Sequence, residues 1–316
     1  ARFTWLAPAA IAGPGIPWDR LSVYLFLDPA ALLGLPMAVT AVVLLPFILF
    51  GNLMFGVGGG ALLNDVAMAG FGGFRGGAAK IAVVASSLFG MISGTAISNV
   101  ATVGVITIPM MKKSGYRPHI AAAIEAVAST GGQLMPPVMG VTAFIMAEFT
   151  GIPYPQIALA ALIPSVLYYA ALFIQIDLEA GKMGLRGLPR EELPSLRGVL
   201  PRCWLFMVPL VVLVYTLFFM DMEPGKSAAT TAFSVLVLSL FVRETRFRLA
   251  WILDALENTG RALLEITVIV ALAGIIIGVV SYTGLGFLLT MSIVKLSGGN
   301  VYMLLLIVAA VSFVLG

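Results

Sequence analysis

Two short polar strings interrupt long apolar runs, GMISGTAISN (90–99) and STGGQLMPP (129–137). The first brings side-chain oxygens on Ser93, Thr95, Ser98 and Asn99, and its Gly90 and Gly94 permit backbone angles closed to other residues. Hard oxygens, including carbonyls freed where a helix unwinds, are the ligands a dehydrated alkali cation takes. No carboxylate lies in this string, which suits a monovalent ion better than calcium. The second string offers Ser129, Thr130, Gly131, Gly132 and Gln133. Pro136 and Pro137 follow, and they cannot continue a helical hydrogen-bond ladder. N–H groups freed at the start of an outer half-helix favour an anionic group. Plainer readings stand beside both: a Gly-x-x-x-Gly packing motif at 90–94, and a proline kink without a ligand at 136–137.

Glu125 lies one turn before the second string and is the only carboxylate well inside an apolar stretch of this kind. Ionisable residues at such positions are functional candidates. Two roles are open to it, a proton carrier or a partner of Lys or Arg near the cytoplasmic mouth. Other chemistry is scarce. His119 is the only histidine and Cys203 the only cysteine, which removes His-ligated zinc, Ser-His-Asp catalysis, an internal disulfide and Cys-based metal sites. An intramembrane enzyme would want paired acids or a Ser-Lys pair within the spans. A channel would need neither an internal repeat nor an occluded hairpin.

These strings matter because of where the composition puts them. Mean hydropathy is +1.06, 60% of residues are hydrophobic and 10% charged, against roughly 25% charged in a soluble domain. The chain reads as an all-α polytopic membrane protein. A net charge of +3 comes from loop lysines and arginines and is no nucleic-acid signature. In a bilayer an unsatisfied N–H or C=O costs several kcal/mol, so irregular backbone survives only where it packs in protein or lines a cavity. Two such breaks about 30 residues apart therefore suggest one shared site.

In chain order, residues 1–13 read as the end of a span and 13–29 as an interfacial segment, with Trp18 and Tyr24. A span follows at 36–56, then a glycine-punctuated amphipathic piece with Asn64 and Asp65. The run 81–111 is 31 residues long and basic at both flanks, too short for two crossings and too long for one. It predicts a re-entrant hairpin with its tip near 90–99. Residues 118–149 predict one discontinuous helix broken at 129–137. Spans follow at 157–177, 203–220 and 228–242, then a cytoplasmic amphipathic helix at 243–265 and a span at 266–281. This topology leaves only Arg2, Arg20, Lys226 and Lys295, of 18 Lys and Arg, outside the cytoplasmic segments.

A weak repeat emerges from that order. A span, a glycine turn, an amphipathic segment, Gly-Gly and an apolar run occur up to Gly90, and again from 266 to Gly316. An odd number of crossings separates the two copies, so they run in opposite senses, as in the inverted repeats of secondary transporters. The predicted organisation is 1–56, N-terminal spans; 57–156, a first transport half; 157–265, scaffold spans; and 266–316, the start of a second, inverted half. The apolar run ending at Gly316 suggests a piece of a longer polypeptide, whose second hairpin and second broken helix lie beyond it.

FRGGAAKIAVVASSLFGMISGTAISNVATVG, IPMMKKSGYRPH and IEAVASTGGQLMPPVMGVTAFIMAEFTGIPY closely resemble the large membrane subunit of tripartite ATP-independent periplasmic (TRAP) transporters. The likeness is to the fused permeases of the TAXI subgroup in particular. ALENTGRALLE and TGLGFLLTMSIVKLSGGN extend it over nearly the whole chain. Met91 stands where a serine is common in that family. The resemblance implies an ion-transporter-like fold and elevator-type import of a small carboxylate, driven by a Na+ or H+ gradient with no other cofactor. It implies a periplasmic substrate-binding protein as partner, a small membrane subunit or fused N-terminal spans, and a place in the cytoplasmic (inner) membrane of a bacterium or archaeon. It also implies ion contacts at Ser93, Gly94, Ser98, Asn99, Gly131 and Gly132. Substrate contacts would fall at Thr95, Asn99, Ser129, Thr130, Gln133 and Pro136.

Overall fold

The structure, a computed structural model, describes residues 17–241 and 250–315. All regular structure among them is helical. The expectations for residues 1–13 and for Arg243, Arg246 and Arg248 lie outside the described residues. Contacts divide the chain into two units, Val39–Leu264, and Ala1–Ala38 with Glu265–Gly316.

In the larger unit the hairpin is the central element. Gly77–Ser93 and Ala96–Lys113 are its two arms. The connection is shorter than the unwound tip expected at 90–99, because only Gly94, at φ +62°, and extended Thr95 leave the right-handed helical region. The Gly94 N–H still closes on the Gly90 carbonyl at 2.9 Å, and Thr95 starts the second arm. Residues 90–93 and 96–99 stay helical, since the serines, Ala96 and the isoleucines tolerate that conformation and only glycine adopts the left-handed one freely. At the open end the two feet meet. The Tyr116 hydroxyl reaches the Gly76 carbonyl at 3.5 Å. Burial, and then the charges of Asp177 and Glu179, push that hydroxyl up to about 12, so it remains a neutral donor.

The hairpin packs on Pro118–Gly131 and Tyr154–Lys182 through small side chains. Ala78, Ala79, Ala82, Ala121, Ala128 and Ala180 are buried together with Met111, Leu172 and Ile176. Small residues let helix backbones approach closely, which is how helices associate where lipid offers no hydrophobic gain. Arg75 and Lys80 both pair with Asp177 on Tyr154–Lys182, the lysine at 2.6 Å. Lys80 is only 5% exposed, and its ammonium also lies 4.9 Å from the centre of the Phe173 ring. Both flanks of the hairpin thus lie at one end, beside a helix end that leads into the basic 182–202 loop.

The break expected at 129–137 is present. Pro118–Gly131 ends in a 3-10 turn, Gly132–Leu134. The chain then runs without helix to Gly140 through a cis Pro136–Pro137 bond and resumes as Val141–Thr150. Leu35–Gly56, Tyr154–Lys182 and Ala250–Thr283 are long and apolar enough to cross a membrane. A fourth candidate is Leu196–Arg202 with Trp204–Phe218, bent by 49°. Gly59–Phe71 is the expected amphipathic helix, burying Leu62, Leu63 and Ala67.

The separate helix expected at 243–265, followed by a span at 266–281, is not found. Ala250–Thr283 is one helix of 34 residues. The change from polar to apolar residues near 265 alters what the helix faces, not its backbone, and no proline interrupts it. At 1.5 Å per residue it is about 51 Å long, so part of it must project beyond a hydrocarbon layer of about 30 Å.

In the smaller unit, the loop after Trp18–Leu27 fits a glycine notch. A Cβ on Gly274 would meet the Ala31 carbonyl at 2.8 Å, and one on Gly278 the Ala31 side chain at 2.9 Å. Beyond Gly284 come Leu285–Ser297, a Gly298–Gly299 turn and Val301–Leu315. The same order of elements leads up to the hairpin tip: a left-handed Gly58, the 13-residue Gly59–Phe71, a glycine turn and the apolar Gly77–Ser93. Leu285–Ser297 is also 13 residues long.

Candidate functional site

The two breaks are docked on each other. A Cβ on Gly132 would come within 2.6 Å of the Gly90 Cα, so only a pair of glycines allows this backbone-to-backbone contact. The Val138 N–H donates to the Met91 carbonyl at 3.3 Å, and a Cβ on Gly94 would strike the Met139 carbonyl. Met139 itself sits at φ 60°, a left-handed conformation that costs a non-glycine residue about 1–2 kcal/mol.

Unwinding frees backbone groups, and most find partners. Tightening to the 3-10 turn sends the Gly132 N–H to Ser129, away from the Ala128 carbonyl. Tyr169 supplies the missing donor to Ala128 at 3.0 Å, and Tyr168 donates to Val127 at 2.7 Å. Tyr154, buried, places its hydroxyl 2.8 Å from the Pro137 carbonyl. Four helix ends converge here. Gly77–Ser93 and Pro118–Gly131 bring C-terminal ends, whose carbonyls carry partial negative charge. Ala96–Lys113 and Val141–Thr150 bring N-terminal ends, whose N–H groups carry partial positive charge.

Below this junction lies a sealed polar cluster. Asn99, Ser86, Thr107, Glu125 and Ser129 are all fully buried. Glu125 Oε1 accepts from Ser86 at 2.8 Å and from Ser129 at 3.1 Å, and Oε2 faces the Thr107 hydroxyl. The Asn99 amide nitrogen donates to the Ser86 carbonyl at 2.8 Å. Its Oδ1 and the Ser93 Oγ are buried with no hydrogen-bond partner among the described residues. Buried oxygens left without donors are uncommon in folded proteins. Gly104 leaves room for the acid, since a Cβ there would lie 3.1 Å from Glu125 Cγ.

Of the residues singled out in the sequence, the structure gathers Ser93, Gly94, Asn99, Gly131, Gly132 and Ser129 at or beside the junction, with Glu125 behind it. Thr95 and Pro136 are half-buried at its edge. Ser98, Thr130 and Gln133 lie on exposed faces, and Thr130 donates to the Ala126 carbonyl of its own helix. The partners of Glu125 are hydroxyls, and no Lys or Arg pairs with it among the described residues. Glu148 is exposed, and Arg261 pairs with Glu257 on a solvated face.

Ser86, Thr107 and the three tyrosines are absent from the sequence reading. A periodic signal for two of them exists. Ser86, Gly90 and Ser93 share one helical face, Asn99, Val103 and Thr107 another, and Glu125, Ser129 and Gly132 a third. Among the described residues no group of His, Cys, Asp and Glu could hold a metal ion.

Fold and site together define a multi-pass helical membrane protein with two docked backbone breaks around buried polar groups. The chain belongs to the DctM family: the model of the tripartite ATP-independent periplasmic transporter DctM component matches residues 5–316. It is 29% identical to the C4-dicarboxylate TRAP transporter large permease protein DctM of Pseudomonas aeruginosa over 273 residues, 81% of this chain and 63% of that protein. It is 28% identical to the isethionate TRAP transporter permease protein DctMQ of Oleidesulfovibrio alaskensis, over 63% of this chain and 31% of that one. With the sialic acid TRAP transporter large permease protein SiaM of Vibrio cholerae it shares 26% identity, over 63% of this chain and 46% of that one. The chain thus spans less than two thirds of the length of these relatives. They are transporter permeases, not enzymes.

Proposed function

We propose that this chain forms half of the translocation site of an ion-gradient-driven permease that imports a small carboxylate. The observation that carries this reading is the docking of the hairpin tip on the broken helix through Gly90 and Gly132, with Asn99 Oδ1 and Ser93 Oγ buried and unpartnered beside them. Two C-terminal helix ends and two undonated oxygens suit a monovalent cation, with Gly94, Gly131 and Gly132 contributing carbonyls and Ser98 at the rim. Two N-terminal helix ends suit an anion, met by Thr95, Asn99, Ser129, Thr130, Gln133 and Pro136. C4-dicarboxylate, isethionate and sialic acid, named for the relatives, are all organic anions.

The remainder follows from the family. The coupling ion is Na+ or H+, and no other cofactor is needed. A periplasmic binding protein delivers the substrate, and a small membrane subunit or fused N-terminal spans complete the permease. The fused TAXI type supplies the pattern here, and the protein sits in the inner membrane of a bacterium or archaeon. The repeated order of elements up to the hairpin tip and after Gly284 supports an inverted second half and elevator-type movement. Uptake by the intact protein with its binding protein tests this. Accumulation of a small carboxylate only under an imposed sodium or proton gradient is expected. Uptake that runs downhill at the same rate without either gradient would rule out coupling.

A further inference from the structure

Glu125 is sealed from solvent, yet its carboxyl group has a complete set of partners in either protonation state. The reason is Thr107. Its hydroxyl lies 3.0 Å from the Val103 carbonyl as well as against Glu125 Oε2. A hydroxyl has one hydrogen and can donate to only one of them. With the acid ionised, Thr107 donates to Oε2, while Ser86 and Ser129 donate to Oε1. With the acid neutral, Oε2 carries the proton and donates it to Thr107 Oγ1, which turns its own hydrogen to the Val103 carbonyl. Ser86 and Ser129 keep their bonds to Oε1 throughout. Neither state leaves a buried polar group unsatisfied, the usual obstacle to changing charge in an interior.

From this geometry we infer that Glu125 is a reversible proton-binding site, with Thr107 as the hydroxyl that reorients to accommodate the proton. The inference rests on the reading of the chain as an ion-coupled permease and deepens it, by assigning a place where a coupling proton is carried. The three hydroxyls belong to different elements: Ser86 to the first hairpin arm, Thr107 to the second and Ser129 to the broken helix itself. A proton can therefore enter or leave only when the arms and the broken helix part, which ties proton exchange to their movement.

Other charged groups on these elements are engaged elsewhere. Lys80 on the first arm pairs with Asp177, Lys112 and Lys113 stand at the exposed foot of the second arm, and His119 is at the far end of the acid's own helix. Tyr154–Lys182 contributes Tyr168 and Tyr169, whose hydroxyls are given to Val127 and Ala128, and Glu179 and Lys182 lie toward its far end. Of these, Tyr169 is near enough to feel the charge of Glu125.

The test is infrared difference spectroscopy of the purified intact protein between acid and alkaline buffer. The other Asp and Glu side chains also protonate on acidification, so the reading is wild type minus Glu125→Gln, whose amide can make the neutral-state bonds. That double difference should show one protonated-carboxyl band appearing on acidification. Thr107→Val removes the bond made to either form of the acid, and because the bond to the charged form is the stronger, the titration midpoint should rise by about one pH unit, tenfold in proton affinity. If the double difference shows no carboxyl band that changes with pH, the inference is overturned. Should Glu125→Gln fail to fold, an unmoved midpoint in Thr107→Val overturns it equally. The spectrum reads proton binding whether or not substrate moves, so failure of the transport reading would show separately, as absence of gradient-driven uptake.

Discussion

Asn99 commits one end of its side chain to the fold and leaves the other open. Its Nδ2 is committed to the Ser86 carbonyl, while Oδ1 is buried and open. Asn99→Ala removes a hydrogen bond worth about 1 kcal/mol and leaves a buried carbonyl short of a donor, a total cost of about 1–3 kcal/mol. A loss of stability of that size should appear in thermal unfolding. The ion concentration needed for half-maximal uptake should rise at the same time. If stability falls and the ion dependence stays as in wild type, Asn99 is a structural residue only. Residues of this kind were legible in part. Glycine and proline announce a broken backbone in any sequence, so Gly94, Gly131, Gly132 and Pro136 stood out. Ser86 and Thr107 did not, because a hydroxyl inside an apolar helix has a meaning only once the partner helix fixes its register.

At the scale of elements, the docking of hairpin on broken helix depends on two glycines in backbone contact. A Cβ at Gly90 would overlap the Cα of Gly132, and backbone cannot step aside as a flexible side chain can. Gly90→Ala should therefore separate the two elements and destabilise the protein by about 1–3 kcal/mol, the range for overpacked interiors. Gly151→Ala is a useful contrast, since its Cβ would meet nothing within 4 Å and any cost comes from a positive φ alone. Equal melting temperatures for wild type and Gly90→Ala would show that this contact yields easily. The elements themselves were largely readable from length and flanking charge. Ala250–Thr283 was not, because a shift in composition looks like a boundary although helical hydrogen bonding is indifferent to it.

For the whole molecule, the decisive geometry is that both feet of the hairpin lie together. Tyr116 reaches Gly76, and Arg75 and Lys80 share Asp177. Basic residues flank membrane segments on the cytoplasmic side, so Phe74 and Lys113, both exposed, should face the cytoplasm. Phe74→Cys and Lys113→Cys, each in a Cys203→Ala background, should react with an impermeant thiol reagent from the inside only. Labelling of one from outside and the other from inside would mean that residues 81–111 cross once, and would rule out the hairpin. The order of elements from Gly284 onward was legible from its glycines.

The central claim is that the docked breaks hold ion and substrate, and the affinity of uptake tests it most directly. Gln133 is exposed within the 3-10 turn, and a hydrogen bond to a charged group is worth about 1.5–3 kcal/mol. At about 1.4 kcal/mol per decade, Gln133→Ala in the intact protein should raise the substrate concentration for half-maximal uptake about 10- to 150-fold. Asn99→Ala should raise the ion requirement. If both variants keep the wild-type half-saturation for substrate and for ion, the breaks are packing features and the site lies elsewhere.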